Sequence, residues 1–413
     1  MSPSLPAELS LAAACCRWPL DAEGEEAVRT AAGRVGDWDR FDRVVRRNRI
    51  SPLAHHALAR AGVELPAAIE RELARRARAA AQKALGMARE SLLLQRDFEQ
   101  AGLPVMVIKG APLALLAYGQ LGMKEAWDID ILTSPDAALE GARLLAERGY
   151  RNAVGHLDSR QLEAYVRFSK EAEFHHPVSG LTVELHWRLV DHRRLLQGVD
   201  ANGPSQQVQT PGGTLRTLSD EQLFAYLCLH GTGHNWNRLK WLADLGAWLA
   251  DRDEAELARL HARAHGYGVG RAASLALMLC RSLLGRDFGT GFLASLEQGG
   301  MVRALERGVI AGLAYQSGAG EHRQYTPPWL RATAARFVIA PGAGHTVEHA
   351  RLVWNDPVDR VEARLPDRLA FLYPVLRIPL WLARVCRRAV RRWGAARPNK
   401  LVTKPSPTRL PPL

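Results

Sequence analysis

The sequence predicts a core of α/β or α+β type set between two helical regions, and three features of its 413 residues carry that reading. From Ala7 to about Gln100 the chain is rich in Ala, Arg, Glu and Leu. β-Branched residues are few, and apolar positions such as Ile69, Leu73, Leu85 and Leu92 recur at helical spacing. Residues 101–218 instead alternate short apolar runs with Gly and Pro turns. From Ser219-Asp220-Glu221, a helix start, to about Arg392 the spacing is mostly helical again. The chain therefore divides into a helical N-terminal region (1–100), a strand-bearing core (101–218), a helical C-terminal domain (219–392) and a Pro-rich basic tail (393–413). Five prolines among the last sixteen residues, with little to bury, predict an extended or disordered end.

Within the core, Val105-Met106-Val107-Ile108 reads as a buried strand, Lys109-Gly110-Ala111-Pro112 as a turn, and Leu113 to Tyr118 as a helix. A second strand is expected from Trp127 to Leu132, followed by a helix that starts at Ser134-Pro135-Asp136 and stops at Gly149. Glu171 to His176 and Leu181 to Leu189 form the arms of a predicted hairpin. A shorter hairpin is expected around Pro211-Gly212-Gly213.

Composition narrows the class. A 47% hydrophobic chain of this length buries a sizeable core, which excludes a mini-scaffold or a wholly disordered protein. Cys15, Cys16, Cys228, Cys280 and Cys386 form no C-x-x-C pair, which disfavours a disulfide framework and structural zinc and fits a reducing compartment. No run of 18 apolar residues is present, and Glu8, Asp21 and Glu23 replace the basic start of a secretory signal, so a cytoplasmic location is expected. The formal charge of +12 is unevenly placed. Residues 377–413 hold ten Lys and Arg and no acid, which leaves 45 basic and 43 acidic groups in the rest.

Chemistry concentrates in Trp127-Asp128-Ile129-Asp130-Ile131-Leu132. On a strand, Asp128 and Asp130 share one face while Ile129 and Ile131 face a core, so two carboxylates are available to a divalent cation. Two other D-x-D runs, Asp37-Trp38-Asp39 and Asp251-Arg252-Asp253, read as surface helix or loop. Downstream, Glu184 and His186 share a face opposite Val183 and Leu185, which supplies a third acid. Upstream, Gly110 at a strand-to-helix turn permits close approach of phosphate to backbone N–H groups, with Lys109 beside it. Two Asp and a Glu in this arrangement suit two-metal phosphoryl chemistry.

These segments resemble the nucleotidyltransferase superfamily built on the DNA polymerase beta palm. More narrowly, Val107-Ile108-Lys109-Gly110-Ala111-Pro112, Trp127 to Leu132, Glu184-Leu185-His186-Trp187, and Leu229-His230-Gly231 with Trp241-Leu242-Ala243-Asp244 are similar to a bacterial family of uncharacterised nucleotidyltransferases, over about residues 45 to 250. The resemblance implies an α+β fold with a mixed-sheet core. Asp128, Asp130 and Glu184 would be the catalytic and metal-binding acids for two Mg²⁺ ions, and Lys109, Gly110, Ala111 and Lys124 would bind the nucleotide. It implies NTP as substrate, ATP expected, and an unidentified acceptor, in a family often associated with polysaccharide or peptide natural-product loci. Two departures stand out: Ala111 replaces the usual Gly or Ser after Gly110, and Lys124 stands where Arg is common.

Further along, His230, His234, Arg238 and Lys240 are read, with His186, as residues of the substrate cleft. The four-residue spacing of His230 and His234 lacks the general-base Glu of zinc proteases, and Gly231 with Gly233 disfavours a regular helix there. His345-Thr346-Val347-Glu348-His349 matches H-x-x-E-H but offers no third ligand, so polar residues at a helix start are expected. Trp236, Trp241 and Trp248 are expected to pack the helical domain. Pro366 to Trp393 alternates Leu and Trp with Arg, a basic amphipathic segment interrupted by Pro374 and Pro379 that could meet an anionic membrane, at the inner face, or an acidic partner. Nucleic acid as a partner rests on charge alone, since no binding motif accompanies it. The functional alternative to an enzyme is a catalytically silent nucleotide-binding or scaffold protein, which Ala111 and Lys124 would permit.

Overall fold

Acidic caps fix the starts of several helices in the computed structural model. It describes residues 5–153, 159–289, 291–292, 296, 300–318, 334–355, 359–360, 363 and 365–395. After α1 (Ala7–Ala14), Asp21 accepts from the Gly24 amide at 2.8 Å to open α2 (Ala22–Ala32), and Asp37 accepts from the Arg40 amide at 2.8 Å to open α3 (Trp38–Asn48). α4 (Ser51–Arg60) and the long α5 (Ala67–Gln100) complete the helical N-terminal region.

The core follows as β1 (Met106–Val107), α6 (Ala111–Tyr118), β2 (Ile129–Leu132), α7 (Ala138–Glu147), β3 (Arg151–Asn152), α8 (Ser159–Phe168), β4 (Glu171–His175) and β5 (Thr182–His186). Its strands lie in the order β1-β2-β5-β4-β3, with β2 and β5 parallel and every other pair antiparallel. This is the expected mixed sheet of an α+β fold. Ile129, Ile131, Val183 and Leu185 are buried against Phe98 of α5 and Leu145 of α7. The second strand is shorter than the sequence implied. β5 begins to pair with β2 at Ile129 opposite Val183, and β1 pairs only with Ile131 and Leu132, so Trp127 and Asp128 have no ladder to join.

A separate hairpin, β6 (Ser205–Thr210) and β7 (Gly213–Leu218), turns at Pro211-Gly212 as expected. Gln95 of α5 ties it down, accepting from the Arg216 amide at 2.8 Å and donating to the Thr214 carbonyl at 3.2 Å. Helices α9 (Asp220–Gly233), α10 (Leu239–Trp248), α11 (Glu254–Gly266), α12 (Gly270–Leu284), α13 (Gly300–Gly318) and α14 (Ala343–Trp354) follow. Asp253 and Glu256 form a capping box at α11, which accounts for the Asp251-Arg252-Asp253 run as the Asp37 cap accounts for Asp37-Trp38-Asp39.

Despite its two glycines, α9 runs regularly to Gly233. The Trp236 ring lies where a side chain at position 231 would sit, so Gly231 is needed for packing rather than for a break. Trp236 and Trp248 are buried in the helical core, as expected. One hydrophobic core joins the N-terminal helices to α9, α10 and α12, and buried Asn48 of α3 accepts from the Leu239 amide of α10 at 2.9 Å. By packing, the described residues up to Ala350 form one compact unit and those from Arg351 a second. In the second, a 3₁₀ turn (Asp367–Leu372) leads into α15 (Tyr373–Ala395), which runs continuously past Pro374 and Pro379 instead of being interrupted. Residues 398–413, read as an extended tail, lie outside the described residues.

Candidate active site

Strand register assembles the acids. Parallel pairing of β2 with β5 sets Asp130 directly beside Glu184, and the period of two puts His186 on the same face as Glu184. One ligand atom each from Asp130, Glu184 and His186 lies within 4.8 Å of the others. Antiparallel pairing of β4 with β5 then brings Glu171 opposite His186. The His186 ring is 3.3 Å from Asp130 Oδ1 and 3.4 Å from Glu184 Oε2 through Nε2, and 2.9 Å from Glu171 Oε2 through Nδ1.

Burial alone would discharge this imidazole. Three carboxylates outweigh it and push the His186 pKa up to about 10, so the ring is a cation tying the acids together. Lys109, at the end of the β1 segment, reaches Asp130 Oδ1 at 2.7 Å. Burial opposes ionisation of Asp130, but Lys109 and His186 prevail and hold it well below the ordinary carboxylate range. Glu171 is held at about 2: burial raises it, and His186 and Lys170 more than offset that. Glu184 moves the other way, raised by burial and by Asp130 and Glu171 despite its contact with His186. The second oxygen of Asp130, Oδ2, is buried and has no hydrogen-bond partner among the described residues. An orphaned carboxylate oxygen next to a second carboxylate has the donor chemistry of a hard-cation site. His186, being protonated, does not offer a lone pair to a metal.

Asp128 lies just ahead of β2 and outside this converging group. It lines a pocket together with Lys109, Gly110, Ala111 and Lys124, so five residues selected from the sequence meet at one place. Gly110 has φ 67° and ψ −121°, a conformation that side-chain-bearing residues avoid, and it opens α6 as its N-cap. Lys124 also has a partner that the sequence did not point to. It forms a buried ion pair with Asp244 of α10, which also accepts from the Tyr118 hydroxyl at 2.9 Å. An Arg would have to fit a larger fork into that closed setting.

The remaining cleft candidates gather around these acids in two groups. His230 and His234 at the end of α9 have ring centroids 4.6 Å apart, and His234 stacks on Trp241 at 4.7 Å. Burial, then Lys109 and His234, hold His230 well below its ordinary range, so it serves as a neutral hydrogen-bonding group and not as a cation. His234 is exposed to solvent, with the charges of Lys109, Arg336, Lys170 and Lys240 bearing on it. On the Asp128 side, Lys240 is lowered to about 7 by burial and by Lys124 and Arg49, while Asp244 and Asp128 act in the opposite sense. Arg238, the N-cap residue of α10, faces Arg49 electrostatically. Trp127 stands exposed at the rim with the Arg49 guanidinium 4.3 Å and the Lys83 ammonium 4.9 Å from its ring centroid.

The sequence model of a family described as uncharacterised nucleotidyltransferase matches residues 35–285. The chain belongs to that family. Neither the curated proteins nor the solved structures yield a match. The matched stretch contains the whole sheet, the β6–β7 hairpin and α9 to α12, so every site residue named above except Arg336 falls within this nucleotidyltransferase region.

Sequence reasoning missed Glu171, Asp244, Tyr118 and Lys170. Glu171 was legible in part, since the hairpin was foreseen and counting back across its turn puts residue 171 opposite 186. Asp244 stood in a segment quoted for the resemblance, but nothing along the chain joined it to Lys124, 120 residues away. The H-x-x-E-H run forms no metal group among the described residues. His345 is buried, 2.9 Å from the Arg336 carbonyl through Nε2, and stacks on His192 at 4.4 Å. It is thus a packing residue rather than a surface one.

Proposed function

We propose that the protein is a Mg²⁺-dependent nucleotidyltransferase that moves an NMP group from an NTP, ATP in the first instance, to an acceptor hydroxyl or phosphate. The observation that carries this reading is the orphaned Asp130 Oδ2 beside Glu184, ringed by cations, in a chain of nucleotidyltransferase family. Asp130 and Glu184, with Asp128 at the lip, would hold the metal, two ions in the full reading. When bound, Mg²⁺ would neutralise phosphate charge and acidify the acceptor hydroxyl.

The chain's own residues have distinct tasks. The His186 cation, fixed by Glu171, aligns the Asp130 and Glu184 carboxylates. Lys109 holds Asp130 ionised before the substrate arrives and is positioned to turn to a phosphate oxygen. Gly110 keeps the start of α6 clear of side chains, so that its free N–H groups can meet the triphosphate. Lys170, Lys240 and Arg336, whose charges reach His234, would add positive potential on the His234 side of the cleft. In the reaction the acceptor oxygen bonds to the α-phosphorus and pyrophosphate leaves.

The reading is tested with labelled NTPs, Mg²⁺ and cell extract as the source of acceptor. Wild-type protein should label an acceptor and release pyrophosphate, and an Asp128→Ala, Asp130→Ala double variant should do neither. Equal Mg²⁺ and nucleotide affinities for the two proteins would sink the proposal. Nucleotide binding that depends on these acids, without pyrophosphate release for any acceptor, would instead support the silent nucleotide-binding alternative.

Lys240 gives the proposal a pH signature. Because its charge is lost as pH rises through about 7, NTP affinity should fall about two- to fivefold between pH 6 and pH 8. A Lys240→Arg variant stays charged and should show a flat profile in equilibrium titrations. A wild-type profile as flat as the variant's would remove Lys240 from the binding site.

A further inference from the structure

The last described helix is built inside out. In α15 the residues Val375, Ile378, Leu382 and Cys386 fall at spacings of three, four and four, which is one face of a helix, and all four are exposed. Val375 is 71% exposed, Ile378 53% and Leu382 49%, and Phe371 in the preceding turn is 69% exposed. Two arginines point the other way. Arg377 and Arg384 both reach Asp359, which is only 2% exposed, at 3.2 and 2.6 Å. Tyr373 is buried on the same side and accepts from the Leu365 amide at 2.9 Å.

Such a helix contradicts the usual arrangement in water, where the apolar stripe faces the protein and the cations face solvent. The Asp359 pairings fix its rotation, so the apolar face is directed outward by specific charge contacts. A contiguous outward stripe of this kind marks a surface that meets an apolar phase. The helix is not long and apolar enough to cross a membrane. From Arg387 to Arg409 the sequence then adds eight Lys and Arg without a single acid. Apolar face and cationic end together fit an anionic lipid surface, where the first enters the acyl boundary and the second meets the headgroups. An acidic protein would need an apolar groove as well to cover the outward Val, Ile and Leu, whereas an anionic bilayer presents both surfaces at once.

We infer that α15 lies on an anionic bilayer through Phe371, Val375, Ile378 and Leu382, with the basic residues beyond it on the headgroups. This holds the enzyme at a membrane surface and does not depend on the proposed chemistry. The full-length protein is to be sedimented with phosphatidylcholine vesicles and with vesicles containing one quarter phosphatidylglycerol. Binding to the anionic vesicles should be at least about tenfold tighter and should weaken as salt rises. Val375→Asp, Ile378→Asp and Leu382→Asp together should abolish it while leaving the melting temperature unchanged, because all three side chains are already in water. Cys386 is exposed whereas Cys15, Cys16, Cys228 and Cys280 are buried, so an environment-sensitive dye can be attached there alone; it should shift to the blue on anionic vesicles. Three results would overturn the inference: no vesicle binding, undiminished binding by the triple variant, or a dimer in light scattering that the triple variant dissolves without any lipid affinity.

Discussion

Replacing Asp130 with Asn should lower the rate of pyrophosphate release by about a thousandfold, close to 4 kcal/mol of transition-state stabilisation. The substitution is nearly isosteric but takes away the negative charge at an acid that touches both Lys109 and His186. It also strands Lys109, whose high pKa depends on Asp130 first among its partners and opposes the effect of burial. Removing one partner of a buried pair costs about 3–5 kcal/mol, so the variant should melt earlier as well. The two effects separate with Glu184→Gln, which removes the second acid without stripping Lys109 of its partner. That variant should lose activity at an almost unchanged melting temperature. Full activity in Asp130→Asn, measured as initial rates under saturating NTP, would remove Asp130 from the chemistry.

The second large effect is expected at the Lys124–Asp244 pair. Asp244→Ala leaves Lys124 buried without its counter-ion and the Tyr118 hydroxyl without its acceptor. The loss should be about 3–5 kcal/mol of unfolding free energy, read as a lower urea midpoint. Lys124→Met and Asp244→Leu combined with Tyr118→Phe should recover most of it, since apolar groups of similar size in place of all three partners leave neither a charge nor a hydroxyl uncompensated. A single variant within about 1 kcal/mol of wild type would show that the pair is dispensable. The same pair anchors α10, which carries Lys240, to the 3₁₀ turn (Leu121–Met123) side of the pocket lined by Lys109, Gly110 and Asp128.

Much of the candidate site was legible in the sequence. Alternation in Ile129 to Leu132 and in Val183 to Leu185 assigned their core and polar faces, because a strand repeats every two residues whatever it is packed against. Gly110 signalled its turn for a similarly local reason: its φ of 67° is cheap only without a side chain. Where partners lie far apart in the chain, local pattern had no purchase. Asp128 looked like the twin of Asp130, yet strand length is set by which neighbours supply hydrogen bonds, and none reaches residue 128. His186 looked like a cleft residue on an alternating strand. Only the joint register of β2, β4 and β5 makes it the cation among three acids. Pro374 and Pro379 looked like breaks, but the first lies in the opening turn of α15, where its missing N–H is not needed, and only the second is interior.

A strand-bearing core between helical regions and the stretch of chain that carries the acids were readable from short-range periodicity, and the α+β class and the family from ordered segments that can be read in one dimension. The tertiary structure alone decided which charges meet. Pairing of Lys109 with Asp130, Lys124 with Asp244, and Arg377 and Arg384 with Asp359 depends on how helices and strands pack across long separations. In a buried setting the meeting of Lys109 and His186 with Asp130 holds that acid ionised, and the meeting of Arg377 and Arg384 with Asp359 sets the direction in which the last helix turns its apolar face.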